Sequence, residues 1–280
     1  MNLMQLIKEV LDELYPGIPG SDDERNTKIS AAIDYLDRSY AQLLNPNRVP
    51  IDFARAENRF AYIYKYTTAH ADYVMQMFRD YPPLSNLFKK KDLRAACLGG
   101  GPGSDFLGIL KYMLNHGKSA TVMSYLYDKE DTWGESWSEI APKIGPNFKV
   151  FTTFQQIDVT VPGTWQNKQN FLKADLFTFV YFLSELHSFR VKAQPCFDHV
   201  FRAAKPGALF LFMDNNDATG QFCRWFEDMI TPHNIPVIQK GECEIAFGNE
   251  EEKNDIEPYF SRFGWMKRKS NMCFRIARKN

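Results

Sequence analysis

The stretch Ala95-Ala96-Cys97-Leu98-Gly99-Gly100-Gly101-Pro102-Gly103-Ser104 decides the fold. Four apolar residues read as a buried strand and run directly into a glycine turn. A helical pattern follows, with Phe106, Leu107, Ile109, Leu110 and Met113 on one face. Strand, glycine turn and helix in that order give a glycine motif its meaning as a ligand cradle. Glycine admits positive φ and lets a ligand approach the backbone closely. The helix N-terminus then offers free N–H groups and the positive end of its dipole to an anionic group. Spacing narrows the ligand. A dinucleotide fingerprint, G-x-G-x-x-G, begun at Gly99 requires glycine at 104, where this chain has Ser104. The G-K-[S/T] ending of a phosphate loop is absent. G-x-G-x-G fits instead, as Gly99, Gly101 and Gly103, with Gly100 inside it.

Outward from this loop, short apolar runs at 93–98, 120–127, 148–154, 175–183, 207–213, 240–247 and 271–277 read as strands, most of them separated by helical segments. Strands alternating with helices predict an α/β fold with a mainly parallel sheet covered on both faces. Residues 1–90 read differently. Leu3, Leu6, Ile7, Val10, Leu11 and Leu14 recur at helical spacing. Pro16-Gly17 and Pro19-Gly20 break that helix, and Ser21-Asp22-Asp23-Glu24 can cap a second. The second helix is expected over Arg25–Leu44 and a third over Ile51–Arg79. A boundary is expected near residue 90, between an all-helical cap at 1–90 and an α/β domain at 91–280. No internal repeat or low-complexity tract is evident.

The expected second strand ends at Asp128, 25 residues beyond Gly103, close to the ~20-residue spacing of ribose-binding acids. Two acceptor oxygens suit a diol. Glu130 and Asp131 compete for that role or cap the next helix, and Trp133 either flanks a base or fills the core. The run Ala174–Leu183, nearly all apolar, suits a central parallel strand. It exits into Ser184-Glu185-Leu186-His187-Ser188, and ligands of open α/β sheets sit at such carboxyl ends. Glu185 and His187 are the candidate proton acceptors there. The competing readings are a helix cap and a solvated imidazole.

These residues resemble class I S-adenosylmethionine-dependent methyltransferases, whose first motif is an acid, any residue, then G-x-G-x-G. The segment Lys205-Pro206-Gly207-Ala208-Leu209-Phe210-Leu211-Phe212-Met213-Asp214 is similar to that family's turn and fifth strand. The resemblance spans about residues 93–280. It implies a Rossmann-like, seven-stranded methyltransferase sheet, mostly parallel with the last strand antiparallel. It implies S-adenosylmethionine as cofactor, with the glycine loop around its methionine part, Asp128 on the ribose and Asp158 near the adenine amino group, a solvated turn being the competing reading of Asp158. Ser184 borders the methyl group in the same scheme, and Glu185 and His187 face the acceptor. One departure stands out: Cys97 occupies the acidic position. The Asn-Pro-Pro-[Phe/Tyr] motif of exocyclic-amine methyltransferases is also missing. Ahead of the loop, Tyr62, Tyr66, Ala69 and Tyr73 share a helix face. Such a stripe is either core or, through Tyr66, a cation–π partner for a sulfonium, worth roughly 0.5–2 kcal/mol.

The helical leader, the Leu98–Ser104 loop and Phe182-Leu183-Ser184-Glu185-Leu186 have a further resemblance to ribosomal-RNA methyltransferase relatives, including the large-subunit uridine-N3 group. Lys89, Lys90 and Lys91 support it, as does a basic tail of Arg262, Lys267, Arg268, Lys269, Arg275, Arg278 and Lys279. Against it, Lys plus Arg equals Asp plus Glu at 34 each. Neutrality disfavours a broad nonspecific nucleic-acid footprint. The acceptor therefore stays open between an RNA base and a small molecule. A cofactor-binding sensor or assembly factor without turnover is the alternative that Cys97 keeps alive.

The five cysteines, at 97, 196, 223, 243 and 273, form no C-x-x-C pair. Neither a disulfide framework nor a metal site is expected, and a reducing compartment fits better. The N-terminal segment carries Glu9, Asp12 and Glu13 and lacks a basic flank before an apolar run. The longest apolar stretches are too short to span a bilayer. A soluble, cytoplasmic protein without membrane association is expected.

Overall fold

The computed structural model describes residues 1–145, 148–217, 219–248 and 250–280. Its strands are β1 Asp92–Leu98, β2 Thr121–Asp128, β3 Val150–Gln156, β4 Leu176–Val180, β5 Leu209–Asn215, β6 Val237–Ala246 and β7 Lys269–Arg278. They form one sheet in the order β3-β2-β1-β4-β5-β7-β6. β1 to β5 run parallel, and β7 is antiparallel to both β5 and β6. This is the arrangement that the resemblance to class I methyltransferases implies. The strand order reverses between β1 and β4, and the crevice outside such a switch point is where open α/β sheets bind ligands.

The sheet's two faces follow from the period of two along each strand. Leu209, Leu211 and Met213 pack on one side, and Phe210 and Phe212 on the other. The second side is dominated by phenylalanine, with Phe177, Phe179, Phe197, Phe201 and Phe226 around it.

Eight helices matter here. α1 is Leu3–Leu14, α2 Asp22–Tyr40, α3 Ala56–Tyr62 and α4 Thr68–Asp80. α5 is Ser104–Asn115, α6 Trp133–Ile144, α7 Arg190–Ala203 and α8 Gln221–Ile230. The capping box expected at Ser21 is formed, with the Ser21 N–H donating to Glu24 at 2.7 Å. α2 stops at Tyr40, four residues short of the expected end. The expected third helix starts later, at Ala56, and winds through a π-helical segment, Ile63–Thr67, between α3 and α4. Such insertions concentrate at functional sites.

The leader helices share a core with the sheet. Leu3, Ile7, Leu36, Tyr64 and Val74 belong to the same buried cluster as Ala95, Leu107 and Leu211. A buried charge network fastens them. Lys111 Nζ of α5 donates to Asp72 of α4 at 2.8 Å and to Glu251 at 2.9 Å, and all three side chains are buried. Glu251 also accepts from the Met4 N–H at 2.8 Å. Removing one member would strand a buried charge, at a cost of ~3–5 kcal/mol.

One expectation needs correcting. Cys223 of α8 and Cys273 of β7 are joined by a disulfide, with Cα atoms 6.6 Å apart. The two lie 50 residues apart in sequence, so a search for closely spaced pairs passes over them. No helix among the described residues is long and apolar enough to cross a membrane.

Candidate functional site

Leu98 ends β1 and the glycine loop turns away from the sheet at once. Gly99 and Gly101 hold φ of +66° and +46°, a region side chains disfavour. A Cβ on Gly99 would lie 2.0 Å from the Phe182 ring, so the loop closes on the end of β4 only because that atom is missing. Gly100 N–H donates to the Tyr127 carbonyl at 3.0 Å, tying the loop to β2. Gly103, left-handed with φ of +83°, opens α5.

Below the loop lies a cavity of about 240 Å³. Gly99 and Gly101 line it, as do Asp128, Asp158 and Glu185. Gly100 and Gly103 stand behind the lining: their roles are to bond β2 and to start the helix. Asp128, at the tip of β2, accepts from the Gly101 and Glu130 N–H groups at 3.1 Å each. Burial pushes its carboxyl up to about 6, against those hydrogen bonds. Glu130 bonds the Thr132 hydroxyl and does not line the cavity. Trp133 is buried against Phe53 and Tyr62 at the cavity wall. Asp158, past the end of β3, caps its own turn by accepting from the Thr160 N–H at 2.8 Å.

Glu185 follows β4 in a short helical turn, Leu183–Leu186. Its Oε1 accepts from the Tyr40 hydroxyl at 2.7 Å. Burial raises its carboxyl above the usual range, with the Arg48 charge opposing. Arg48 donates to the Glu185 carbonyl at 3.1 Å and is itself buried. Its Nε and Nη2 have no partner among the described residues, although it lines the cavity. Three further sequence candidates fall elsewhere. Ser184 does not line the cavity, and its backbone N–H donates to buried Asp214 at 2.8 Å. His187 packs edge-on against Phe222 and Trp225, off the cavity, and burial lowers its basicity. Tyr66 lines an adjoining cavity instead, with its hydroxyl on Asp37 at 3.2 Å. Tyr62, one turn earlier, is the stripe residue that reaches this one.

An acid is buried near Cys97. Asp105, in the first turn of α5, accepts from the Thr178 hydroxyl, while the Cys97 thiol lies 4.0 Å from the Ser124 hydroxyl. Burial raises this carboxyl to about 6. An acid two residues past the last glycine was the available signal. Arg48, Phe53 and Tyr40 gave none, because they reach the site from the leader across more than a hundred residues of chain in the case of Tyr40 and Glu185.

No protein-family model matches this chain. No curated protein sequence matches it either. Solved structures with a similar architecture include a SAM-dependent methyltransferase of Methanosarcina mazei, at 12% identity over 71% of this chain and 97% of that one, with a TM-score of 0.48. Another is a SAM-dependent methyltransferase from Clostridium acetobutylicum, at 11% identity over 88% and 98% of the two chains, TM-score 0.43. A loganic acid methyltransferase with SAH gives 10%, 76%, 93% and 0.38 in the same order.

Proposed function

We propose that the protein binds S-adenosylmethionine in the 240 Å³ cavity and transfers its methyl group to a nucleophilic oxygen or nitrogen of an acceptor. The observation that carries this reading is the convergence, at the β1/β4 switch point, of an open glycine loop, a carboxylate at the tip of β2 and a buried, part-unpartnered guanidinium. Those groups match the donor set the cofactor needs. Gly99 and Gly101 would pass its methionine part, Asp128 would hold the ribose diol, and Asp158 would lie toward the adenine. The spare Arg48 N–H groups suit the methionine carboxylate. Ile51, Phe53 and Tyr62 come from the leader, which in this reading is a lid on the site and keeps water out.

When bound, the cofactor supplies a methyl group whose bond to sulfur breaks with the electron pair remaining on sulfur. The chain's own contribution is position and a proton acceptor. Glu185 faces the cavity with a raised carboxyl, and it takes the proton that the acceptor gives up as the new bond to carbon forms. Tyr40 fixes its orientation. His187, off the cavity, is left out of this step. The alternative, binding without turnover, rests on Cys97 alone; Asp105 is buried on the Thr178 hydroxyl and does not line the cavity.

Titration calorimetry tests the reading. S-adenosylmethionine and S-adenosylhomocysteine should both bind, and NADH should not. NADH binding with no response to either methionine derivative would overturn it.

A further inference from the structure

A second cavity, of about 430 Å³, adjoins the first. Tyr181 lines both. The Tyr40–Glu185 hydrogen bond joins a residue of the second cavity to one of the first. We propose that this second cavity is the acceptor site and that its substrate is a small planar organic anion. The inference rests on the methyl-transfer reading above.

Shape gives planarity and size. Tyr40, Tyr66, Tyr181, Phe222 and Trp265 wall the space. An apolar cavity of ~150 Å³ holds one benzene, so this volume admits a one- or two-ring molecule. Tyr181 holds φ of +53°, which a non-glycine residue rarely adopts. The strain ends β4 at Val180 and turns the Tyr181 ring to the junction of the two cavities. Backbone strain of this kind persists where surrounding structure enforces it, and it clusters at functional sites.

Charge gives the anion. Lys267 and Lys269 both line the cavity. Lys267 Nζ sits 4.3 Å from the centroid of Tyr181 and 5.8 Å from that of Tyr66. It has no salt bridge among the described residues. Burial lowers its ammonium to about 8, with Asp214 opposing. A carboxylate arriving beside it would relieve that cost. Lys269 has only an exposed pairing with Glu244 at 3.5 Å, which is worth little. His70 stacks on Tyr181 at 4.0 Å, and its buried Nε2 has no partner among the described residues. The acid that lines this cavity, Asp217, already caps α8 through the Thr219 and Phe222 N–H groups.

A nucleic acid would need a basic track leading to the mouth, and five of the basic residues among the described ones are engaged elsewhere. Lys90 and Lys205 pair with Asp175 at the start of β4, the opposite end of the sheet. Arg275 is held by Glu227, Arg262 lies over Tyr15 and Tyr259, and Lys279 caps the Phe201 carbonyl.

The test uses the full-length protein saturated with S-adenosylhomocysteine. Ligand-observed NMR titrations use 4-hydroxybenzoate, indole-3-carboxylate and nicotinate, beside their neutral amides and cyclohexanecarboxylate. At least one planar acid should bind, and its amide should bind at least about tenfold more weakly, the usual scale for losing one charge-assisted contact. Lys267→Met should lose about tenfold in acid affinity, while S-adenosylhomocysteine affinity stays within about twofold. Lys269→Ala, on an exposed side chain that the fold does not need, should lose about two- to fivefold. The inference is overturned if no planar acid binds the saturated protein, if acids and amides bind alike, or if the Lys267 variant keeps parental acid affinity. Tighter binding of a single-stranded oligouridylate that displaces the acid also overturns it. If S-adenosylhomocysteine itself fails to bind, the methyl-transfer reading falls first and takes this inference with it, so the opening titration tells the two failures apart.

Discussion

The two cavities are neighbours built on different principles. The one under the glycine loop is made largely of backbone and strand ends. Its loop is one contiguous stretch, and its acids sit at or just past the ends of β2, β3 and β4. The one beyond Tyr181 is made of side chains from α2, the π-helical turn, α4, the exit of β4 and the start of β7. Backbone cradles need particular residues, glycines above all, at fixed offsets, so they leave a pattern in the chain. A side-chain cavity needs only that distant residues meet, and many sequences satisfy that. The first cavity is therefore stiff in its sequence requirements, and the second is the place where specificity can change.

The largest expected effect treats the cavities as one body. Deleting residues 1–88 removes Asp72 from the Lys111 network and a large share of the core. The remaining fragment should be insoluble or fail to bind S-adenosylhomocysteine. A soluble, monodisperse fragment 89–280 with parental affinity would separate leader from site and break the comparison.

Glu185→Gln comes next. If Glu185 takes the acceptor proton, turnover should fall by ~10²-fold or more, with cofactor affinity near parental. The acid must be ionised to act, and burial raises its carboxyl. The parent's rate should therefore fall on the acidic side of its pH profile, and the Gln variant should lack that limb. Equal turnover of variant and parent at all pH values would remove Glu185 from the chemistry.

Gly101→Ala is predicted to be smaller and cleaner. The nearest atoms to its added Cβ are 3.7 Å away, so the fold has room. The positive φ costs ~1–2 kcal/mol, and the methyl group enters the cavity. Thermal stability should drop by a few degrees, and calorimetric affinity for S-adenosylhomocysteine by at least about tenfold, while planar-acid binding is measured separately. Parental affinity would place the cofactor elsewhere.

Asp128 gives a pH signature. Its carboxyl rises from 3.8 to about 6 in the fold. A raised carboxyl stabilises the fold fully below the unfolded value and loses that contribution as pH rises through about 6. Asp128→Asn should thus raise the unfolding free energy of the ligand-free protein at pH 8 by ~1–3 kcal/mol relative to its change at pH 4. It should weaken S-adenosylhomocysteine binding in the same experiment. A difference between variant and parent that is flat from pH 4 to 8, followed by chemical denaturation, would contradict it.

Tyr66→Phe is the smallest. Tyr66 belongs to the second cavity and its hydroxyl bonds Asp37, away from the first, so cofactor affinity should change by less than about twofold, even though one part-buried hydrogen bond is lost. A tenfold loss would show that the two cavities share their ligands more than their linings suggest.

The sequence alone determined the elements and their order. Alternation of apolar runs with helical segments predicts the parallel sheet, and Gly99, Gly101 and Gly103 with Asp128 mark the crevice at its strand ends, because backbone conformation and strand ends leave local signatures. What tertiary structure decided was every contact between distant segments. The run at 175–183 stops at 180, since Tyr181 turns to pack on His70. Tyr40 meets Glu185, Lys267 comes to rest on Tyr181, Asp105 meets Thr178, and Cys223 finds Cys273. Ser184, His187 and Tyr66, adjacent to the site in sequence, were carried off it by one turn of helix or one flip of a strand end. Local pattern fixes which way a backbone runs; which side chains share a cavity depends on how whole elements pack, and no short stretch of this chain encodes that.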